Sequence, residues 1–411
     1  MKKRILSLLL ALTLAVTPVA LLTSCKDNGG GGVKTLYVYN WGEYISDGSE
    51  GTLDSNAAFE EWYYETYGER VKVNYSTYSS NEDLYAKLSG GAVSYDVIVP
   101  SDYMIQRLIN EDMLAPLDYA NIPNISNILP SFYGQDAVYD YYDKGSTYSV
   151  PYFYGMIGII YNTTMVDEED IGSWDIMWNE KYKGNILQFN NSRDAFGTAQ
   201  YFLGIDVNTD NVEEWRQALE LLKSQKDIVQ GYVMDEIFNK MENGSAAIAA
   251  YYAGDFLTMY ENNEDLEFFY PAEGTNLYVD AMCIPKASEN KEIAERYIDF
   301  MLTEEAAVAN AEYTYYASPN NAVRENEEYK EYMNSIKEGG YNLMYGTDTV
   351  KTSSYKNLGG EQLIMLNELW EELKSDIQVG LPIYVICAVI LVILIGGGTF
   401  LGVRKKIRDK Y

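Results

Sequence analysis

Between residues 35 and 99 the pattern changes four times, and that alternation constrains the fold more than any other feature. Thr35 to Asn40 reads as an apolar, aromatic strand, and Ser55 can cap a helix that runs to Tyr67 and stops at Gly68. Val71 to Tyr75 is a second strand, Asn81 to Ser89 a second helix closed by Gly90-Gly91, and Asp96 to Val99 a short buried strand entering Pro100. Helices between successive strands carry the chain back, so the strands must run parallel with helices on both faces. Further strands are predicted near Met156–Tyr161, Asn185–Phe189, Ala246–Tyr251 and Tyr278–Ile284. Helices are predicted near Val212–Lys226, Met234–Asn243 and Lys291–Leu302.

An α/β chain of 411 residues leaves room for one large two-lobed domain or two ordinary ones. Its 61 acidic against 31 basic side chains give a formal charge of −30. Phosphate binding needs a basic surface, so nucleic acid is excluded as the expected partner. The absence of histidine removes His-based triads, the commonest general base and most zinc sites. The 3 cysteines, Cys25, Cys283 and Cys387, sit in different kinds of segment and suggest no disulfide. No cofactor and no metal are called for.

Both ends carry membrane-type signals. Lys2-Lys3-Arg4, the apolar run Ile5 to Leu22 and then Leu22-Thr23-Ser24-Cys25 read as a secretory signal peptide over 1–25. Its last four residues resemble a lipobox, which makes Cys25 the expected lipidation site and new N-terminus. Lys26 to Val33, with a run of glycines, is a tether over 26–33. Val379 to Val403 carries no charge and is about 37 Å long as a helix, so a transmembrane helix is expected at 377–403. The basic tail 404–411 would then be cytoplasmic, and the bulk of the chain extracellular or periplasmic.

Open parallel sheets bind ligands beyond the carboxyl ends of their strands. The residues there are Asn40-Trp41-Gly42-Glu43-Tyr44, Ser101-Asp102-Tyr103, Asn190-Asn191-Ser192-Arg193-Asp194 and Tyr278-Val279-Asp280. Each set mixes aromatics with carboxylates or hydroxyls. A buried ammonium needs carboxylate partners, and aromatic faces attract it by about 0.5–2 kcal/mol each while contacting its methylenes. The combination points to a small organic cation, although with 39 tyrosines many such rings serve only packing.

Thr35-Leu36-Tyr37-Val38-Tyr39-Asn40-Trp41-Gly42-Glu43-Tyr44 resembles the opening strand of the spermidine/putrescine-binding proteins of ABC importers. The likeness continues through Tyr75–Glu82, Tyr95–Tyr103, Tyr148–Tyr152, Tyr182-Lys183-Gly184, Asp280–Pro285 and Ser318-Pro319-Asn320. The resemblance implies a monomeric, two-lobed type II periplasmic-binding fold that closes on a polyamine and delivers it to an ABC permease, with no reaction catalysed. It implies a solute-binding domain over 34–376, with lobe 1 near 34–152 and 279–318 and lobe 2 near 153–278 and 319–376. Trp41 and Tyr44 would form an aromatic wall, and Ser101 and Tyr103 a binding pair. Asp194 would meet one amine, Tyr278 and Asp280 another, and Tyr252 and Tyr316 would be pocket aromatics. Asn191 stands where the family's best match has aspartate, and Asp102 is an additional acid that could compensate. The family's C-terminal glutamine falls on Tyr355 or Lys356 without deciding between them.

Two other readings use the same residues. Tyr315-Tyr316 would suit a ferric-ion receptor of this fold. Asp194 and Asp280 could act as the carboxylate pair of a glycosidase, a mechanism that needs no histidine.

Overall fold

The computed structural model describes residues 32–91, 94–134, 137–346 and 348–375. Ten strands form one sheet: β1 Lys34–Trp41, β2 Val71–Tyr78, β3 Val97–Ile98, β4 Ser149–Asn162, β5 Ile186–Phe189, β6 Val229–Val233, β7 Ile248–Tyr252, β8 Leu266–Phe269, β9 Thr275–Cys283 and β10 Thr352–Ser353. The order is β2-β1-β3-β9-β4-β7-β5-β6, with β10 beside β9 and β8 beside β4. β1 runs parallel to β2 and β3, and β5 runs parallel to β6 and β7. These two parallel groups are the two lobes' half-sheets. Between them β4 and β9 run antiparallel to each other.

The join explains the length of β4. Its first part, from Ser149 to Met156, pairs with β9, and its second, from Ile157 to Asn162, pairs with β7 and β8. One 14-residue strand thus belongs to both halves. Pro151 cannot donate to a ladder, and the register shifts between Pro151 and Phe153 at this point.

The first lobe follows the alternation read from the sequence. The helix Ser55–Tyr67 is stopped by Gly68 at φ 71°, a left-handed conformation that glycine adopts without strain. Its cap is Asp54, whose carboxylate accepts from the Ala57 amide, so the expected capping residue Ser55 becomes the first helical residue. Ser80 caps the helix Asn81–Gly90 in the same way.

The fold expected from the sequence needs one correction. Its two-lobed α/β body is present, but among the described residues no helix is long and apolar enough to cross a membrane. The helix Gly360–Ser375 buries only Leu366, Leu369 and Leu373 and carries several glutamates; its 16 residues span about 24 Å, short of a bilayer core. It packs as an amphipathic helix on Phe196, Trp215 and Leu222. No helix among the described residues therefore supplies the C-terminal transmembrane helix that the expected fold included. The segments to which the signal peptide, most of the tether, the spanning run and the basic tail were assigned (1–31 and 376–411) lie outside the described residues.

Candidate functional site

The carboxyl ends of the parallel strands from both half-sheets face one cleft. Its walls come from the ends of β1, β2 and β3 on one side and of β5, β6 and β7 on the other, and β9 crosses between them. The unfilled space, mouth included, is about 760 Å³. Trp41, Tyr44, Ser101, Tyr103, Asn191, Asp194, Tyr252, Tyr278, Asp280 and Tyr316 all line it. Residues separated by up to 275 positions in sequence are brought together by the ends of the strands.

Among the described residues five carboxylates line the cleft: Glu43, Asp194, Asp235, Asp255 and Asp280. Among the described lining residues there is no lysine and no arginine. Asp280 lies on β9, and its Oδ2 accepts from the Tyr44 hydroxyl at 2.6 Å. Its Oδ1 is buried and finds no partner among the described residues. The Tyr278 hydroxyl, two residues back on the same face of β9, is also buried without a partner. Burial pushes the Asp280 carboxyl up to about 6, although the neighbouring Ser101 and Tyr44 act to lower it.

Asp194 sits in the first turn of the helix Ser192–Leu203, where a negative charge is favoured. The Tyr252 hydroxyl donates to its Oδ2 at 2.7 Å. Burial nevertheless pushes Asp194 up to about 7. Asp255 follows β7 in the first turn of the helix Ala253–Asn262, and burial pushes it to about 7 as well, against a hydrogen bond from Tyr316. Burial thus raises three carboxyls in one cleft toward neutral pH.

The aromatic rings frame these acids. Tyr316 meets Tyr44 edge-on at 4.9 Å, Tyr252 meets Tyr278 edge-on at 5.5 Å, and the Trp41 ring lies 4.6 Å from Tyr78. The Trp41 Nε1 has no partner among the described residues. Asn81 donates to both Ser101 Oγ and the Tyr103 hydroxyl at 3.1 Å, which fixes that pair at the start of the helix Asp102–Asn110.

Two residues sit differently from their expected roles. Asp102 does not line the cleft: its carboxylate accepts from the Tyr141 hydroxyl and from the Val279 and Tyr103 amides, so it ties the first half-sheet to β9. Asn191 does line it, but its Oδ1 caps the helix Ser192–Leu203 by accepting from the Arg193 and Asp194 amides. The Tyr315-Tyr316 pair is split. Tyr316 faces the cleft, whereas Tyr315 donates to Glu261 in a separate outer groove. Tyr355, left undecided by the sequence, lines the cleft.

Residues 57–336 match the family described as bacterial extracellular solute-binding protein. The chain belongs to that family. It is 30% identical over 345 residues to the spermidine/putrescine-binding periplasmic protein of Escherichia coli, covering 83% of this chain and 92% of that one. It is 28% identical over 354 residues to a putrescine/cadaverine-binding protein of Pseudomonas aeruginosa, covering 82% and 93%. Among solved structures, a putative spermidine/putrescine ABC transporter from Listeria monocytogenes superposes with a TM-score of 0.72 at 33% identity, over 83% of this chain and 99% of that one. A spermidine/putrescine ABC transporter substrate-binding protein from Streptococcus pneumoniae gives a TM-score of 0.65 at 32% identity, with the same coverage. The resemblance read from the sequence motifs is to the same family.

Asp235 and Asp255 line the cleft without having been marked by the sequence motifs, and Tyr355 does so after being left undecided against Lys356. Asp235 and Asp255 come just after β6 and β7, so the strand-end rule applied to those strands would have flagged them. Tyr355 has no such local signal.

Proposed function

We propose that this protein is a receptor that binds a polyamine between its lobes for an ABC importer. The observation that carries the reading is the cleft itself, with five carboxylates, framing aromatic rings and no lining cation among the described residues. Burying like charges together is unfavourable unless counter-charges enter, and an extended diamine or triamine supplies ammoniums joined by methylenes suited to aromatic walls. Asp280, with its free Oδ1, and the Tyr278 hydroxyl would hold one amine. Asp194 would hold another, with Asp255 and Glu43 adding negative charge to the same cleft. The relatives named for spermidine and putrescine support the same ligand class.

On this reading the lobes are 34–152 with 279–318, and 153–278 with 319–376, closing about β4 and β9. Binding, with no turnover, is the function. Asp194 and Asp280 each accept from one tyrosine hydroxyl and are both pushed upward, so nothing divides them into acid and base as a glycosidase requires. The split of Tyr315 from Tyr316 disfavours iron. Calorimetry with putrescine, cadaverine, spermidine, spermine and ferric citrate tests the reading. At least one amine should bind with a Kd in the micromolar range or tighter, and binding of ferric citrate alone would overturn it.

The short apolar run before Cys25 supports lipidation there. Membrane attachment through Cys25 would keep the receptor near its permease. Metabolic labelling with a clickable fatty acid should mark the wild-type protein and leave Cys25→Ala unlabelled; equal labelling of both refutes the anchor.

A further inference from the structure

The helix Ser192–Leu203 contains a buried glycine at its centre, Gly197. Glycine is a poor choice inside a helix, and its backbone φ is not in the left-handed region there. Its neighbour supplies the reason. A Cβ on Gly197 would lie 2.0 Å from the Tyr355 hydroxyl and 3.0 Å from the ring carbon that bears it. The glycine makes room for a tyrosine that arrives from more than 150 residues away in sequence.

That tyrosine is carried by a strap running from β10 to the helix Gly360–Ser375. The Tyr355 amide donates to Asn276 Oδ1, and the Lys356 amide donates to Asn208 Oδ1 at 2.7 Å. The Asn357 amide donates to Gln106 Oε1 at 2.7 Å, so the strap touches both lobes. Arg193 holds it from beneath. This buried guanidinium donates to the Val207 carbonyl, to Asn208 Oδ1 and to the strap carbonyl of Lys356 at 3.3 Å, and lies 4.5 Å over the Tyr355 ring. Arg193 does not line the cleft, whereas Tyr355 does; its hydroxyl is buried, with no partner among the described residues.

We propose that Arg193 and Gly197 are positioning residues: they seat the 352–358 strap so that Tyr355 forms part of the ligand-contacting wall beside Asp194. Arg193 supplies hydrogen bonds and a cation–π contact to hold the segment. Gly197 supplies the space for the hydroxyl. The proposal rests on the polyamine reading for its ligand but not for the seating of the strap.

Gly197→Ala separates this account from a merely structural one. Alanine is the better helix former, so a glycine with no packing purpose would leave or raise the melting temperature when replaced. Here the methyl must displace Tyr355. Hydrogen–deuterium exchange of the ligand-free protein should quicken in peptides covering 352–358 in Gly197→Ala and in Arg193→Met, with the exchange of β1 and β2 unchanged. Putrescine or spermidine affinity, whichever the wild type binds, should fall at least tenfold in Gly197→Ala. Adding Tyr355→Phe removes the clashing oxygen, so the alanine should cost less than threefold in that background. Unchanged exchange of the strap in Gly197→Ala overturns the seating role. Faster exchange with unchanged affinity, or an equal loss in both backgrounds, overturns the contact through Tyr355. A wild type that binds no amine refutes the polyamine reading, and the exchange measurement then decides the strap by itself.

Discussion

Asp280→Asn should weaken polyamine binding at least a hundredfold while making the ligand-free protein more stable. Asp280 is 4% exposed, shares one oxygen with Tyr44 and leaves the other without a partner among the described residues. Asparagine keeps the shape and still accepts from Tyr44, so the fold retains its hydrogen bond. An ammonium that enters this end of the cleft would then be desolvated with no opposite charge. Removing one side of a buried ion pair costs about 3–5 kcal/mol, and each 1.4 kcal/mol is about tenfold in affinity. Stability moves the other way because burial has raised this carboxyl to about 6, which means that its ionised form is disfavoured in the empty cleft at neutral pH. Calorimetry and thermal melting on one variant read both signs. Unchanged affinity would remove Asp280 from the site.

The residues that were legible in the sequence share a physical character. Trp41, Tyr44, Ser101 and Tyr103 stand at the ends of strands whose parallel order follows from the local alternation of strand and helix. Tyr278 and Asp280 were legible through the aromatic-x-aspartate element of the resemblance, although both lie within β9 rather than at a strand's carboxyl end. The helix Ser192–Leu203 was not legible, because Ser192 through Tyr201 are all buried and no exposed face sets it off from a buried segment. The helix carrying Asp255 was missed with its acid because it follows β7 directly, with no loop between to mark its start. Asp102 was over-read: its position after a strand is that of a ligand, but three donors of the protein's own occupy its carboxylate. Tyr355 depends on a strap whose partners Asn208, Asn276 and Gln106 are remote in sequence. The spanning helix was read from local hydropathy at 377–403, and the helices that the structure describes are amphipathic or packed within the lobes.

The pH dependence should have opposite signs in the empty and the loaded protein. Burial raises Asp194 and Asp255 to about 7 and Asp280 to about 6, well above the value of about 3.9 for a free aspartate. Asp102, pushed up to about 7 by burial, adds to the set without lining the cleft. A carboxyl raised in the folded state binds more protons there than in the unfolded chain. Its stabilising contribution is complete below the unfolded value and is lost as pH rises through the folded one. The ligand-free protein should therefore melt at a higher temperature at pH 5.5 than at pH 8. A polyammonium ligand needs these groups ionised, and its own amines stay charged throughout the range, so affinity runs the other way. A carboxyl titrating near 7 is only about 3% ionised at pH 5.5, so the need to ionise even one such group weakens binding about thirtyfold relative to pH 8. The melting-temperature gain produced by saturating polyamine should shrink accordingly as pH falls. Binding should also release protons at pH 6.5, which calorimetry in buffers of different ionisation enthalpy would show. A Kd that stays constant from pH 5.5 to 8 would mean that the amines are held by groups other than these buried carboxyls.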